Sequence, residues 1–345
     1  MTCLNRFVAA TGLLLVATAA CAAPVAEQPF AVRGRIVVGG EGGWDCLAAD
    51  ASSHRLFLSH GMRVVVVDTR TDSILGEIAP APGVHDIALA PELGRGWTSN
   101  GRDSSITVFD YATLKPLASI KLDARNPDVI TYDRASGRVF AFNGGSANAT
   151  AIDARTNAIV GTVPLGGKPE FAVTDGAGHL WVNNEDSSTV VQLDTRSLQV
   201  TANWPLAPGE GPTGLAIDRA HHRLFAACGN QKLVVLDSNT GRIVTTLPIG
   251  QGVDGAEYDS GRRLVFTPNG EGTLTVIRED GPDRFRILET VTTERGARTM
   301  ALDEVTGRLY LPTADFGPPP APTLERPHPR GPIVPGSFRV LVVGR

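Results

Sequence analysis

Residues 211–250, GPTGLAIDRAHHRLFAACGNQKLVVLDSNTGRIVTTLPIG, decide how the chain is read. They fall into four apolar runs, LAID, RLFAA, KLVVLD and RIVTTLPI, separated by Gly, Asn, Asp or Ser. Short runs rich in Val, Leu, Ile and Phe between such turn formers are consecutive antiparallel strands joined by tight hairpins. The pattern recurs on both sides. Asp218, which closes the first run, has equivalents at Asp50, Ala90, Asp133, Asp175, Asp259 and Asp303, at spacings of 40 to 44 residues. The second run recurs as Arg55-Leu56-Phe57, Arg138-Val139-Phe140, His179-Leu180-Trp181 and Arg308-Leu309-Tyr310. The third closes on Asp68, Asp110, Asp153, Asp194 and Asp237.

Seven units of this length, with four strands each, predict an all-β, seven-bladed β-propeller built from four-stranded antiparallel blades. Counted outward from the axis, blade seven has strands at 297–303, 308–312 and 338–343, and then the chain stops. Residues 30–39, FAVRGRIVVG, precede the first complete unit and carry the pattern of a fourth strand. An N-terminal strand closing the last blade is therefore expected, since it covers an open sheet edge. Residues 30–345 read as one propeller, interrupted by a Pro-rich insertion at 313–336 in blade seven. Eight prolines fall there, so a semi-rigid, polyproline-like loop is expected. Long loops on repeat scaffolds are often functional.

The ends of the second runs, Phe142-Asn143, Val182-Asn183-Asn184 and Thr267-Pro268-Asn269, are followed by a Gly or acidic turn and a strand of TVxxxD type. In these motifs the chain resembles the YVTN-repeat propellers, in the manner of the YncE-like seven-bladed periplasmic proteins. The resemblance runs from about residue 30 to residue 345. It implies an exported binding or scaffold protein, in some cases linked to nucleic-acid or metal-uptake contexts, and carries over no catalytic residue.

Residues 1–23 have one early Arg (Arg6), an apolar run at 7–20 and then small residues, the pattern of a secretory signal peptide. Cleavage after Ala19 or Ala22 fits, and the expected location is the periplasm. Lipid anchoring at Cys21 is the lesser alternative, because Thr18-Ala19-Ala20 lacks the usual aliphatic residue. No other run approaches the ~20 apolar residues of a membrane span. Of four cysteines, Cys3 leaves with the signal and Cys21 can leave with it. Cys46 and Cys228 fall on blades one and five, too far apart for a disulfide, and are expected as packed thiols. A net charge of −4 gives no reason to expect a phosphate-binding surface, so nucleic acid is not an expected partner. A small ligand or a protein partner is, and a monomer is expected.

Strand parity places the loops entering each blade and the tips between its second and third strands on one rim. Five residues before each marker, nearest the axis, stand Asp45, His85, Asp128, Glu170, Thr213, Asp254 and Arg298. The tips add His60, Asn100, Asn143, Asn184, Glu185, Asn230, Asn269 and Asp315. Crowded carboxylates repel one another and attract a cation or a cationic ligand. The expected ligand-binding set is Asp45, His85, Asp128, Glu170, Asp254, Arg298, Asn143 and Asn184. On the same rim, Asp45, His60, His85 and Asp128 form a two-His, two-carboxylate patch suited to zinc or another divalent transition metal. Oxygen donors alone would suit Ca²⁺ or Mg²⁺. The plainer alternative is a solvated tunnel mouth whose Asn residues serve turns. Glu325, Arg326, His328 and Arg330 of the Pro-rich loop could fold over this mouth. The opposite rim carries Arg70, Arg134, Arg155, Arg196, Arg219, His221, His222, Arg242 and Arg262, expected as exposed pairs and turn packing.

No GxSxG, HExxH or phosphate-cradling Gly loop occurs. The first reading is thus a binding or scaffold protein without turnover. The second is a metal-dependent hydrolase or lyase of the gluconolactonase or streptogramin-lyase propeller type, an analogy of fold alone.

Overall fold

In a computed structural model, residues 1–2, 28–321, 323 and 331–345 are described. Residues 3–23 of the expected signal, and Glu325, Arg326, His328 and Arg330 of the loop, lie outside the described residues.

The opening stretch folds as one sheet of four strands, Pro212–Asp218, Arg223–Cys228, Lys232–Asp237 and Ile243–Pro248, hydrogen-bonded in chain order. Its turns work as the residue types require. The Asp237 carboxylate accepts the backbone N–H groups of Asn239 and Thr240 at 3.0 Å each, and Gly241 follows at φ 71°. These are local Asx turns, in which a short carboxylate replaces a ladder partner.

Seven such sheets follow one another. Blade seven comprises Ala301–Asp303, Arg308–Thr313, Arg339–Gly344 and, from the other end of the chain, Ala31–Val37. The closing strand runs antiparallel to Arg339–Gly344, with Ala31 opposite Gly344 and Val37 opposite Arg339. Innermost strands touch in cyclic order, and Ala301–Asp303 meets Leu47–Asp50 to complete the ring.

The core is divided the same way. Seven apolar clusters each span one pair of adjacent blades. Phe57 and Phe109, both fully buried, fill the interface of blades one and two. Cys46 and Cys228 are buried free thiols, as expected. Among the described residues no helix is long and apolar enough to cross a membrane.

Three innermost strands are shorter than the pattern suggests: Glu257–Asp259, Ala301–Asp303 and Leu47–Asp50. The residues before them turn their hydrogen bonds towards the next blade. Asp254 N donates to Arg298 O at 3.1 Å, and Cys46 N donates to His85 O at 3.0 Å. The Thr299 hydroxyl donates to Asp45 O at 2.6 Å. Blades six, seven, one and two are thereby stitched together at the rim where the acidic residues stand.

The second-strand tips share that rim, as parity predicts. Gly61 N donates to Gly43 O, Gly144 N to Asn126 O and Gly229 N to Gly211 O, at 2.8 to 3.0 Å, so tip and entering loop meet in each blade. The base of the Pro-rich insertion departs from the polyproline expectation. Phe316 pairs with Ile333 in an antiparallel bridge, and Val334 N donates to Asp315 O at 2.8 Å.

Candidate ligand-binding mouth

The innermost strands deliver Asp45, Asp128, Glu170, Thr213, Asp254 and Arg298 to one cavity of about 260 Å³ at the mouth of the channel. His85 stands between two of them. Its Nδ1 lies 2.7 Å from Asp45 Oδ2 and 3.5 Å from Asp128 Oδ1. Arg298 Nε lies 3.1 Å from Asp254 Oδ2, and its Nη2 lies 3.8 Å from Asp45 Oδ1. Lys168, not among the expected site residues, reaches Glu170 at 2.7 Å and also pairs with Glu185.

Burial of the His85 ring opposes its charge. The hydrogen bond to Asp45 and the fields of Asp128 and Asp45 outweigh that effect, and its pKa rises from 6.5 to about 9. Burial raises the Asp128 carboxyl, with the His85 charge pulling the other way. Glu170 is also raised, by burial and then by the Asp128 charge. Burial lowers the affinity of Lys168 for its proton, but the two glutamates more than restore it.

Asp45, His85 and Asp128 offer ligand atoms within 4.8 Å of one another, the geometry of a potential metal centre. His60 is not part of that group. It is fully buried, its ring stacked on Phe338 at 4.4 Å, and burial followed by the Arg63 charge lowers its pKa to about 4. The expected four-residue patch is therefore three residues plus a core histidine. Nor do Asn143 and Asn184 line the cavity. Both are buried; Asn143 donates to Asn148 Oδ1 at 2.8 Å and Thr150 Oγ1 at 3.0 Å, and Asn184 donates to Leu165 O at 2.8 Å. Asn100 and Asn269 clamp their own blades in the same way. Asn100, Asn143 and Asn269 tie a second-strand tip to the third strand, whereas Asn184 ties its tip to the segment entering the blade.

Below the mouth the channel continues as a second cavity of about 260 Å³, lined by Leu47, Asp86, Val173, Ile217 and Glu257 among others. Asp86 is buried and accepts Ile87 N at 2.8 Å and Ile130 N at 3.0 Å. Burial lifts its pKa to about 7 despite these bonds. A wider opening of about 670 Å³ lies beside the closing strand, near Arg33, Arg262 and Arg308. Those arginines are engaged: Arg33 with Gly344 O, Arg262 with Asp259 and Arg308 with Thr69 O. On the basic rim, Arg70 pairs with Asp68, Arg134 with Glu92 and Arg219 with Thr174 O, the turn packing expected there.

No protein-family model matches the chain, and no curated protein matches it in sequence. In three dimensions the chain is similar to the RRP9 WD40 repeats, with a TM-score of 0.74 and 10% identity over 92% of this chain and 99% of that one. It is also similar to U3-55K, with a TM-score of 0.73 and 9% identity over 88% of this chain and 97% of the other. Kuenenia stuttgartiensis hydrazine synthase gives a TM-score of 0.68 and 15% identity over 78% and 92%. The chain is a seven-bladed β-propeller, a fold that commonly serves as a binding or interaction scaffold.

Proposed function

We propose that this propeller is an exported, periplasmic binding protein of the YVTN-repeat kind, which takes a compact cationic ligand at the acidic mouth of its channel. One observation carries the reading. The mouth cavity is lined by five carboxylates, Asp45, Asp128, Glu170, Glu185 and Asp254, against two fixed cations, Lys168 and Arg298. Even with His85 charged, negative charge is left over in a partly desolvated space, where a cation is held more strongly than in bulk water. Export is supported by the pattern of residues 1–23, and the repeat kinship by the Asn-ended second strands.

The ligand chemistry has two sources, a divalent metal ion or a small ammonium compound. Thermal-shift titration of the full chain with Zn²⁺, Mn²⁺ and Ca²⁺, and separately with spermidine, distinguishes them. Stabilisation should grow with ligand concentration and disappear in an Asp45→Asn/Asp128→Asn variant. Identical, negligible shifts in both proteins would reduce the mouth to a solvated tunnel. The enzymatic alternative, a metal-dependent hydrolase or lyase, draws support from the Asp45–His85–Asp128 group. It requires turnover of a lactone or related substrate that depends on metal and on all three side chains.

A further inference from the structure

A second cluster lies on the opposite rim, at the seam of blades five and six. His221 Nδ1 stands 2.6 Å from Asp218 Oδ2 and 2.9 Å from Glu279 Oε1. Asp218 is 2% exposed and Glu279 1% exposed, whereas the His221 side chain is one-third open to solvent. Glu279 Oε1 accepts no well-formed hydrogen bond. A single imidazole nitrogen carries at most one proton, so it can satisfy only one of two converging carboxylates.

The repeat shows how unusual this seam is. The residue after the third-strand Asp donates its backbone N–H to the preceding hairpin, as Thr69, Tyr111, Ala154, Thr195 and Ser238 do, and Glu279, which follows Arg278 in the corresponding position, does the same. Glu279 therefore holds the same place as the others. In that place the Tyr111 hydroxyl donates to Asp50 of the preceding blade, and the Thr195 hydroxyl donates to Asp133 at 2.7 Å. Where the preceding blade has Ala90 instead, the partner is Ala154, and both are buried in one apolar cluster. Donor meets acceptor, or methyl meets methyl. At the seam of blades five and six, two buried acceptors face one another.

We infer that Asp218, His221 and Glu279 form a binding site for a divalent transition-metal ion, distinct from the channel mouth. An ion supplies to both facing carboxylates at once the partner that a single imidazole nitrogen can give to only one of them. One imidazole and two carboxylates suit Zn²⁺ or Mn²⁺. The outer partners are those that orient metal ligands. The Tyr258 hydroxyl donates to Glu279 Oε2, and Ala220 N donates to Asp218 Oδ1 at 2.9 Å. Arg263 Nε, 3.9 Å from Glu279 Oε2, approaches the other oxygen of that carboxylate and leaves Oε1 to face His221. Ligand atoms around tetrahedral Zn²⁺ stand roughly 3.3 Å apart. His221, one-third open to solvent, has room to move outward and admit the ion.

The test separates this site from the mouth by using the full chain with Asp45→Asn/Asp128→Asn as background. Chelator-treated protein is titrated with Zn²⁺ and Mn²⁺ by calorimetry and thermal shift. One ion per chain should bind, with Tm rising as metal is added. Tyr258→Phe keeps the ring stacked on Phe225 and removes only the outer hydroxyl, and should weaken binding by about ten- to a hundredfold. Glu279→Gln should abolish binding. Should that variant fold poorly, His221→Ser/Glu279→Thr rebuilds the Asp133, Ser136 and Thr195 arrangement of the seam of blades three and four, and should fold without responding to metal. The inference is overturned if the background chain takes up no ion, or if His221→Ser/Glu279→Thr binds metal as well as its parent.

Discussion

His85 illustrates how one side chain reports on the channel mouth. It has Asp45 and Asp128 on either side of Nδ1, and its Nε2 packs close to Gly101, where a Cβ would fall 2.5 Å from that nitrogen. A folded-state pKa of about 9 against 6.5 means that the native state holds the proton more tightly than the unfolded chain. The stabilisation is therefore complete below pH 6.5 and lost as pH rises to about 9. With partial solvent screening, its size is about 2 kcal/mol. In metal-free buffer, the stability difference between wild type and His85→Gln should shrink across that window, measured by denaturant melts at half-unit pH steps. A constant difference from pH 6 to 10 would show that the imidazole gains nothing from its two carboxylates.

At the scale of elements, the closing strand is the piece whose removal matters most. Phe30, just before it, packs edge-on against Phe266 at 5.4 Å in the core of blades six and seven, and Ile36 is buried with Tyr310 between blades seven and one. Deleting residues 28–38 should expose the edge of Arg339–Gly344 and cause aggregation. Phe30→Ala alone should cost about 3 kcal/mol through the cavity it leaves. A soluble, equally stable deletion protein, seen by light scattering and melting, would show that the ring closes without this strand. The closure was legible in the sequence because strands and hairpin carboxylates recur at a constant interval, so a missing fourth strand stands out. The mouth was legible for the same reason: a fixed offset from Asp218 and its equivalents finds every innermost residue. What was not legible depended on neighbours outside that interval. His60 reads as a ligand by type, but Phe338 arrives from across the Pro-rich insertion and takes it into the core. Asn143 looks exposed at a tip, yet the hydroxyl two residues into the next strand buries it. Lys168 could have been found, since it lies two residues before Glu170 in the entering loop. The blade five and six cluster left one trace: Arg278-Glu279-Asp280-Gly281 stands where blades one to five have an Asp followed by an uncharged residue, Thr69, Tyr111, Ala154, Thr195 or Ser238.

For the molecule as a whole, the hairpin carboxylates and the channel carboxylates pull the pH dependence in opposite directions. Burial opposes ionisation of Asp50 and Asp133. Hydroxyl donors nevertheless win, Ser52 and Tyr111 at Asp50 and Ser136 and Thr195 at Asp133, and both pKa values fall below 3.8. Such groups contribute stability that is present above pH ~4 and lost as pH drops below it. Inside the channel, burial raises Asp86 from 3.8 to about 7, and burial with the Glu304 charge raises Glu257 from 4.5 to about 8. A carboxyl that keeps its proton longer in the folded state makes stability fall as pH climbs from its unfolded to its folded pKa. Each such group contributes at most about 1.4 kcal/mol per pH unit. Water in the channel reduces the share of Glu257, which is only half-buried. The two limbs meet near pH 4, where the unfolded carboxyls titrate, so thermal stability should peak there and decline by several kcal/mol towards pH 8. Glu257→Gln should flatten the alkaline limb by its own share. Asp86→Asn should flatten it further, at the cost of turning an amide NH₂ towards one of the N–H groups that Asp86 now accepts. Melting curves from pH 4 to 9 decide the matter. A stability plateau reaching pH 8 in wild type, unchanged by either substitution, would mean that the channel carboxylates ionise as freely as those on the surface.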